Sequence, residues 1–240
     1  MEGCRVTNAR WRMFDTDDSL VAAVAGATGL SAIAAGVLIA RGIRDPAEAL
    51  RFLEPALQRD WHDPSLIPGM NDAARRVARA VTDQENVVVF GDFDLDGISS
   101  AALACLGLRE LGGHVTATVP NRFREGYGLT DASIERLQRM RPDLVITVDC
   151  GISAGGSVEK LRAIGIDVVV TDHHEPSDAV PQGIPVANPK LDPTCVSGGL
   201  AGAGIALKLI QSVGRELARP DVWRELTDLA TLGTIADIVP

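Results

Sequence analysis

The chain has 240 residues, of which 46% are hydrophobic and 23% are charged, a composition typical of a globular protein with a buried core. Its four cysteines (Cys4, Cys105, Cys150 and Cys195) form no CxxC pair, which argues against a disulfide framework or a zinc knuckle and favours a reduced, cytoplasmic protein. The net charge of −9 argues against a generic nucleic-acid coat protein, but two bound divalent cations would add four positive charges and bring it to −5.

Residues 1–80 are predicted to form a helical N-terminal region. Within this region, the uncharged stretch from Leu20 to Ala40 is long enough to cross a bilayer. The stretch is rich in Ala and Gly, however, and Thr28-Gly29 followed by Ser31 is typical of a helix end and a new N-cap. We therefore expect two short packed helices here and no association with a membrane.

The sequence pattern changes after residue 80, and residues 81–240 are predicted to form one α/β domain. Short apolar runs alternate there with helices, which is typical of a parallel sheet covered on both faces. The predicted fold is therefore a doubly wound parallel sheet preceded by the helical region. The predicted strands are 87–90, 114–119, 144–148 and 167–171, and the predicted helices are 71–81, 98–111, 130–140, 154–164, 203–218 and 221–232, with a Pro- and Gly-rich loop after residue 175.

Three of the predicted strands are followed by carboxylates or imidazoles. VVVF is followed by GDFDLDG, LVITV by Asp149, and DVVVT by Asp172, His173 and His174. The C-terminal ends of parallel strands lie at one edge of a sheet, where open α/β folds bind their ligands. We therefore expect these side chains to converge on one site.

The motif GDFDLDG contains three aspartates, Asp92, Asp94 and Asp96, which alternation along an extended chain would place on one face. Crowded carboxylates require a positive partner, and Asp with His but without Cys suits Mn²⁺ or Mg²⁺ better than a structural zinc site. An EF-hand calcium loop is excluded because the position that requires glutamate, six residues after Gly97, is Leu103. Carboxylates from different strands could hold two ions, the arrangement that promotes phosphoryl transfer.

Each of these groups taken alone has an ordinary structural explanation. A single aspartate at a strand end, such as Asp149, is commonly a turn residue or a helix cap, and a His-His pair can lie on the surface. The coincidence of three such groups at one sheet edge favours a functional site instead. His62 and His114 have no such neighbours in the pattern and are predicted to be structural.

The motifs GDFDLDG, TVDCGIS and TDHH, in this order on strands of a parallel sheet, resemble those of the DHH phosphoesterase superfamily. Further segments are similar to one branch of it, the RecJ-type single-stranded-DNA exonucleases. The resemblance covers roughly residues 30–240. The segments that carry it are RFLEPAL, DPSLIPGM, PNRFREGYGL, ANPK, LAGAGIALKL and LATLGTIADIVP.

The resemblance implies a nuclease that uses two Mn²⁺ or Mg²⁺ ions to hydrolyse single-stranded DNA from the 5′ end in DNA repair or recombination. It implies that Asp92 and Asp172 orient their neighbours and that His174 faces the scissile phosphate. Arg122 and Tyr127, in PNRFREGYGL, are implied contacts of the substrate, with a solvated loop arginine as the alternative for Arg122. The implied metal ligands are Asp94, Asp96, Asp149, His173 and Asp237, with Asp149 as the bridge between the ions.

Members of the branch continue past the last motif into a connecting helix and a second domain, which carries much of the basic substrate groove, whereas this sequence stops at Pro240. The sequence is therefore expected to be a catalytic part without its second domain. Single-stranded DNA is the implied partner, with a single-strand-binding protein or a helicase as further candidates.

Two other functions remain open from the sequence. The first is a hydrolase of small substrates such as oligonucleotides, phosphoadenosine phosphate or pyrophosphate, and PNRFREGYGL and the terminal motif argue against it. The second is a non-catalytic replication scaffold that keeps the DHH fold and loses its ligands. Every expected ligand position is filled here, which argues against a scaffold.

Overall fold

The computed structural model describes residues 17–239. Cys4, the rest of residues 1–16 at the start of the predicted helical region, and the terminal Pro240 lie outside the described residues. The chain divides into two compact units, with the boundary between Trp61 and His62. Within the described residues, Cys105, Cys150 and Cys195 are free thiols.

The first unit consists of short helices: α1 (Asp18–Thr28), α2 (Ala32–Ala40), α3 (Pro46–Leu53) and α4 (Leu57–Asp60). The predicted break between α1 and α2 is confirmed, because Gly29 ends α1 in the left-handed conformation and the Ser31 hydroxyl accepts a hydrogen bond from the Ala34 amide. No single helix among residues 17–239 is long and apolar enough to cross a membrane. By length and composition alone, the pair α1 and α2 could do so together, although the two helices are bent by 112° where they meet.

The second unit is built on a parallel sheet. Helix α5 (Met70–Thr82) leads into β1 (Asn86–Gly91), and the chain then alternates through α6 (Leu95–Glu110), β2 (His114–Thr118), α7 (Asp131–Met140), β3 (Leu144–Val148), α8 (Gly155–Ala163), β4 (Asp167–Thr171) and β5 (Val186–Ala187). Among the described residues, five strands pair in the order β2-β1-β3-β4-β5, and every pair is parallel. The predicted α/β fold with a doubly wound parallel sheet is confirmed.

Apolar side chains on both faces of the strands explain why helices cover both sides of the sheet. On one face, Val88, Val145 and Val168 pack with Ile134 of α7 and Leu161 of α8 in a buried cluster. The other face packs against α5, α6 and α9 (Gly202–Glu216). Strands β3 and β4 are buried almost throughout, as their continuous apolar runs predicted.

Three elements differ from the prediction. Helix α6 begins at Leu95 rather than at residue 98, because Asp94 caps it. The short strand β5 lies inside the predicted loop after residue 175 and pairs with β4. The predicted helix 221–232 is a 3₁₀ turn at Val222–Leu226 followed by α10 (Thr227–Asp237), and α10 runs through Gly233 because that glycine marks a close packing contact and not a helix end.

Candidate metal centre

The candidate site lies where the strand order reverses between β1 and β3, the position at which doubly wound sheets bind ligands. Gly91 pairs with Val148, and Val148 pairs with Thr171. Each of these strands ends at the residue named, and the residue that follows is an aspartate: Asp92, Asp149 and Asp172 respectively. Parallel register alone therefore places these three carboxylates side by side, as the sequence pattern predicted.

The three aspartates of GDFDLDG do not share one face of an extended chain, which corrects that expectation. The Asp92 carboxylate accepts a hydrogen bond from the Phe93 amide at 2.6 Å. Asp94 is the N-cap of α6, with its Oδ1 2.9 Å from the Gly97 amide nitrogen. Asp96 lies in the first turn of α6, so helical geometry and not strand alternation sets its direction.

Gly97, which directly precedes the predicted helix 98–111, has a packing role. It lies inside α6, and a Cβ atom at this position would be 2.5 Å from the Asp92 backbone nitrogen. Only glycine therefore allows the first turn of α6 to pack on the end of β1. This packing places the first turn of α6, which carries Asp96, against the end of β1.

Helix α9 completes the environment of the buried carboxylates. The amides of Gly202 and Ala203, at its N-terminus, donate to Asp96 at 2.7 and 2.9 Å. A Cβ atom at Gly202 would be 2.4 Å from Oδ1 of Asp149, and one at Gly233 of α10 would be 2.4 Å from Oδ1 of Asp96. Glycines at these two positions let both helices approach the site.

Asp149 occupies a special backbone position. Its φ is +59°, a left-handed conformation that aspartate tolerates better than most residues. Its side chain is buried, and Oδ1 receives no hydrogen bond of acceptable geometry from the described residues, although Nε2 of His173 is 3.1 Å away. An unsatisfied, buried carboxylate oxygen is costly unless another group neutralises it.

His173 is the centre of a second cluster. Its Nε2 atom lies 3.1 Å from Asp149, 3.8 Å from Oδ2 of Asp96 and 3.8 Å from Oδ2 of Asp237. Asp237 is the last residue of α10 and is partly exposed. The structure thus brings Asp237 to the sheet edge, although nothing in the local sequence around it marked it as a site residue apart from the family resemblance.

Asp172 fixes the two histidines that follow it through hydrogen bonds. Its Oδ1 accepts hydrogen bonds from the His173 amide at 2.7 Å and the His174 amide at 3.0 Å, and lies 2.7 Å from Nδ1 of His174. Its Oδ2 accepts from the Ile152 amide at 2.9 Å. Burial acts to raise the pKa of Asp172, but these hydrogen bonds hold it below its ordinary value. The hydrogen bond that Nδ1 of His174 donates to Asp172 in turn raises the pKa of His174, despite partial burial.

Three groups of donor atoms in the described residues are compact enough to hold a metal ion, with the atoms of each group within 4.8 Å of one another. Asp149 and His173 each belong to two of the groups. Carboxylate and imidazole donors of this kind suit Mn²⁺ and Mg²⁺. The groups are Asp92, Asp94 and Asp149; Asp149, His173 and His174; and Asp96, His173 and Asp237.

The electrostatics of the cluster also fit bound cations. Burial, with the neighbouring carboxylates adding to it, raises the pKa of Asp92, of Asp96 and of Asp149, the last to about 9. Within residues 17–239, no lysine or arginine forms an ion pair with any of these three carboxylates. Divalent cations would supply the missing positive charge.

The predicted substrate residues lie on the loop between β2 and α7. The Arg122 side chain is exposed, and its Cζ atom is 5.0 Å from the centre of the Phe93 ring. The Tyr127 ring meets the same Phe93 ring edge-on, with 6.0 Å between centres. Tyr127 and His174 also line one pocket of about 320 Å³. Burial, followed by the nearby charge of Asp92, raises the pKa of Tyr127.

Several residues that shape the site were not among the predicted ones. Phe93 stood between two marked aspartates, and its ring contacts could not be inferred from spacing. The backbone amides of Gly202 and Ala203 carry no side-chain signal, and the segment LAGAGIALKL contributed only to the family resemblance. His62 and His114, predicted to be structural, belong to none of the metal-holding groups of the described residues.

Comparison with known proteins shows the family to which this chain belongs. Residues 86–234, more than half of the chain, match the family model described as "DHH family, N-terminal domain". The single-stranded-DNA-specific exonuclease RecJ of Bacillus subtilis is 36% identical over 233 residues, which are 96% of this chain and 29% of that protein. The RecJ exonuclease of Escherichia coli is 37% identical over 213 residues, covering 83% of this chain and 36% of that protein.

The fold is likewise similar to a solved RecJ structure. RecJ from Thermus thermophilus in complex with Mn²⁺ is 30% identical, with a TM-score of 0.75 over 92% of this chain and 31% of that one. The chain thus spans about a third of the length of the curated relatives it matches. The family model, the similar sequences and the fold agree with the carboxylate and histidine cluster at the sheet edge, and the chain belongs to the DHH family.

Proposed function

We propose that this chain is the catalytic region of a two-metal phosphodiesterase that hydrolyses single-stranded DNA from its 5′ end. The observation that carries the proposal is the cluster around Asp149 and His173, in which the buried carboxylates form no ion pair with a lysine or arginine of residues 17–239. The names and bound ions of the similar RecJ proteins support the substrate and the metal. They favour this function over a small-substrate hydrolase and over a replication scaffold.

We propose that the residues divide into ligands and groups that orient them. Asp149 has donor atoms in two of the compact groups, which supports a bridging position between two Mn²⁺ or Mg²⁺ ions. Asp92 lies close enough to Asp94 and Asp149 to contact the same ion, so it could act as a ligand in addition to its predicted role of orienting its neighbours. The proposed ligands are Asp94, Asp96, Asp149, His173 and Asp237.

When bound, such ions would activate water and stabilise negative charge on the phosphate. The side chains supply the remaining functions. Asp172 fixes His174 through the 2.7 Å contact with Nδ1, so that Nε2 is left for the scissile phosphate. A His174 whose pKa is raised holds its proton longer and can stabilise or protonate the leaving oxygen.

Arg122 and Tyr127 are the proposed contacts to the DNA strand. A guanidinium group can hold two phosphate oxygens, and a tyrosine ring offers a surface for base stacking. The exposed position of Arg122 leaves it accessible to a phosphate. We further propose residues 81–240 as the catalytic domain, a cytoplasmic location, and supply of single strands by a helicase or a single-strand-binding protein.

The test is the variant Asp149→Asn, because asparagine tolerates the left-handed backbone at this position. With a 5′-labelled single strand and Mn²⁺, we expect hydrolysis to fall by about a thousandfold or more, since the bridging carboxylate is lost. The exposed variant Asp178→Asn should retain wild-type activity. Wild-type turnover by Asp149→Asn would contradict the proposal.

A further inference from the structure

The loop of residues 120–129, called here the substrate loop, is closed by hydrogen bonds of its own. The Asn121 carbonyl accepts from the Glu125 amide at 2.7 Å, and the Asn121 amide donates to Oε2 of Glu125 at 3.0 Å. The Asn121 side chain accepts from the amides of Phe123 and Arg124 at 3.1 and 3.2 Å. The tip that carries Arg122 is therefore a defined turn.

One arginine on α7 attaches this turn to the rest of the domain. The Arg136 guanidinium binds both oxygens of Glu125, with Nε to Oε1 at 2.9 Å and Nη2 to Oε2 at 3.0 Å. It also donates to the Val119 carbonyl at 3.2 Å and to the Thr118 hydroxyl. Each hydrogen bond of this guanidinium to the described residues thus goes to the segment 118–125.

The Glu125–Arg136 pair is shielded from solvent. The side chain of Glu125 is 13% exposed and that of Arg136 is 24% exposed. Burial acts to raise the pKa of Glu125, but the hydrogen bonds from Arg136 hold it below its ordinary value. A bidentate pair with this degree of burial fixes geometry more firmly than an exposed ion pair does.

A second attachment lies on the side of the metal centre. Phe93, between Asp92 and Asp94, contacts both proposed DNA-binding side chains of the loop. The Arg122 guanidinium lies over its ring at 5.0 Å, and the Tyr127 ring meets it at 6.0 Å with an interplanar angle of 85°. The substrate loop is therefore held at Glu125 by α7 and at its two functional side chains by the metal-binding motif.

We propose that Arg136 is a positioning residue which, through Glu125, holds Arg122 and Tyr127 beside the metal centre, with Phe93 as the second point of attachment. The inference rests on the proposed function, because it gives these two side chains their substrate. It goes beyond that function in assigning the alignment of the DNA-binding loop to a residue that is neither a proposed metal ligand nor a proposed DNA contact.

The kinetic test compares Arg136→Gln with Lys160→Gln. The second variant removes the exposed ion pair between Lys160 of α8 and Asp131 of α7. For Arg136→Gln we expect KM for a single strand to rise by about tenfold or more, with kcat and Mn²⁺ affinity within about twofold of wild type, because only substrate alignment is lost. Lys160→Gln should match wild type. An unchanged KM in Arg136→Gln, or an equal loss of Mn²⁺ affinity, would overturn the proposal.

A second readout is independent of nuclease activity. Trypsin binds its substrate as an extended segment, so cleavage after the exposed Arg122 and Arg124 requires the turn to unfold locally. We expect this cleavage to be at least about fivefold faster in Arg136→Gln than in Lys160→Gln. Arg136→Lys, which keeps the charge, should recover part of the protection. Equal cleavage rates would overturn the proposal even if the wild type proved inactive on DNA.

Two further variants keep the test decisive if Arg136→Gln does not fold. Glu125→Gln keeps the shape of the side chain and removes the ionic pair, and it should show the same rise in KM and in tryptic cleavage. Phe93→Leu should raise KM while Phe93→Tyr restores it, because only the latter keeps the aromatic face. Wild-type values in both Glu125→Gln and Phe93→Leu would contradict the proposal.

Discussion

Carboxylates lie at both ends of the parallel sheet. Those at the N-terminal ends of the strands have partners that neutralise or hydrogen-bond them, and those at the C-terminal ends do not have an arginine or lysine partner among the described residues. At the N-terminal ends, Arg76 of α5 binds Glu85 and Asp167, each at 2.8 Å, and Asp143 accepts the Asn86 amide at 2.8 Å. At the C-terminal ends, Asp92, Asp96 and Asp149 are buried, and none of them forms an ion pair with an arginine or lysine of the described residues.

The difference shows how one fold separates stability from function. Carboxylates that have a cationic partner tie α5 to the starts of β1 and β4, which stabilises the domain. Carboxylates that lack one leave a concentration of negative charge that a protein keeps only where a cation binds. The N-terminal end is therefore the internal control for the C-terminal end where variants of the two are compared.

The largest expected effect on stability is at the N-terminal end. Arg76→Gln leaves Glu85 and Asp167 without their partner, and we expect it to lower the free energy of unfolding by about 2–4 kcal/mol, because the Arg76 side chain is largely buried. Urea unfolding measures this change. Mn²⁺ affinity should stay within about twofold, and a large loss of Mn²⁺ affinity would remove the contrast between the two ends.

The next effect is at the C-terminal end. Asp172→Asn weakens the hold on His174 and on the backbone of His173, and we expect Mn²⁺ affinity or turnover to fall by about 10–100-fold. Titration calorimetry and nuclease assays measure the two quantities. The unfolding free energy in the absence of metal should change less than in Arg76→Gln, and the reverse order would contradict the comparison.

A further effect concerns the pH dependence of stability. The pKa of Asp149 is about 9 in the metal-free fold against 3.8 as its ordinary value, so the folded state keeps a proton that the unfolded state releases. This stabilising contribution is complete below about pH 4 and is lost progressively as the pH rises towards 9. About 3 kcal/mol of this contribution is lost between pH 6 and 8.5, so we expect the Tm in EDTA to fall by about 6–12 °C over that range.

The same measurement has a matched control. Asp149→Asn has no carboxyl to titrate at this position, so its Tm should fall less over that range. Adding Mn²⁺ to the wild type should raise the Tm more at pH 8 than at pH 6, because ion binding displaces the proton. Parallel curves for wild type and Asp149→Asn would show that Asp149 does not carry the effect.

The sequence predicts the scaffold better than the detail of the site. The strands 144–148 and 167–171 were predicted with their observed bounds, because continuous apolar runs between helices have one common explanation. Parallel register then brings Asp149 and Asp172 together without further information. The fold and the location of the site follow from these two facts.

What the sequence could not predict depends on contacts between distant segments. A glycine such as Gly233 is locally typical of a helix end. Here it leaves space for the side chain of Asp96, which belongs to a helix at the other end of the domain's sequence. Asp237 was marked only by the family resemblance, and the pairing of Glu125 with Arg136 had no pattern at all. Local propensity carries no signal for such contacts, because both partners are ordinary helix or loop residues.

The most direct test of the account is the number of divalent cations that the wild-type chain binds. Calorimetric titration of Mn²⁺, with native mass spectrometry for the count, should find two ions at micromolar concentrations, no more than one in Asp149→Asn, and two again in Arg76→Gln. Binding of two ions that Asp149→Asn leaves unchanged, or the absence of any bound ion in the wild type, would contradict it.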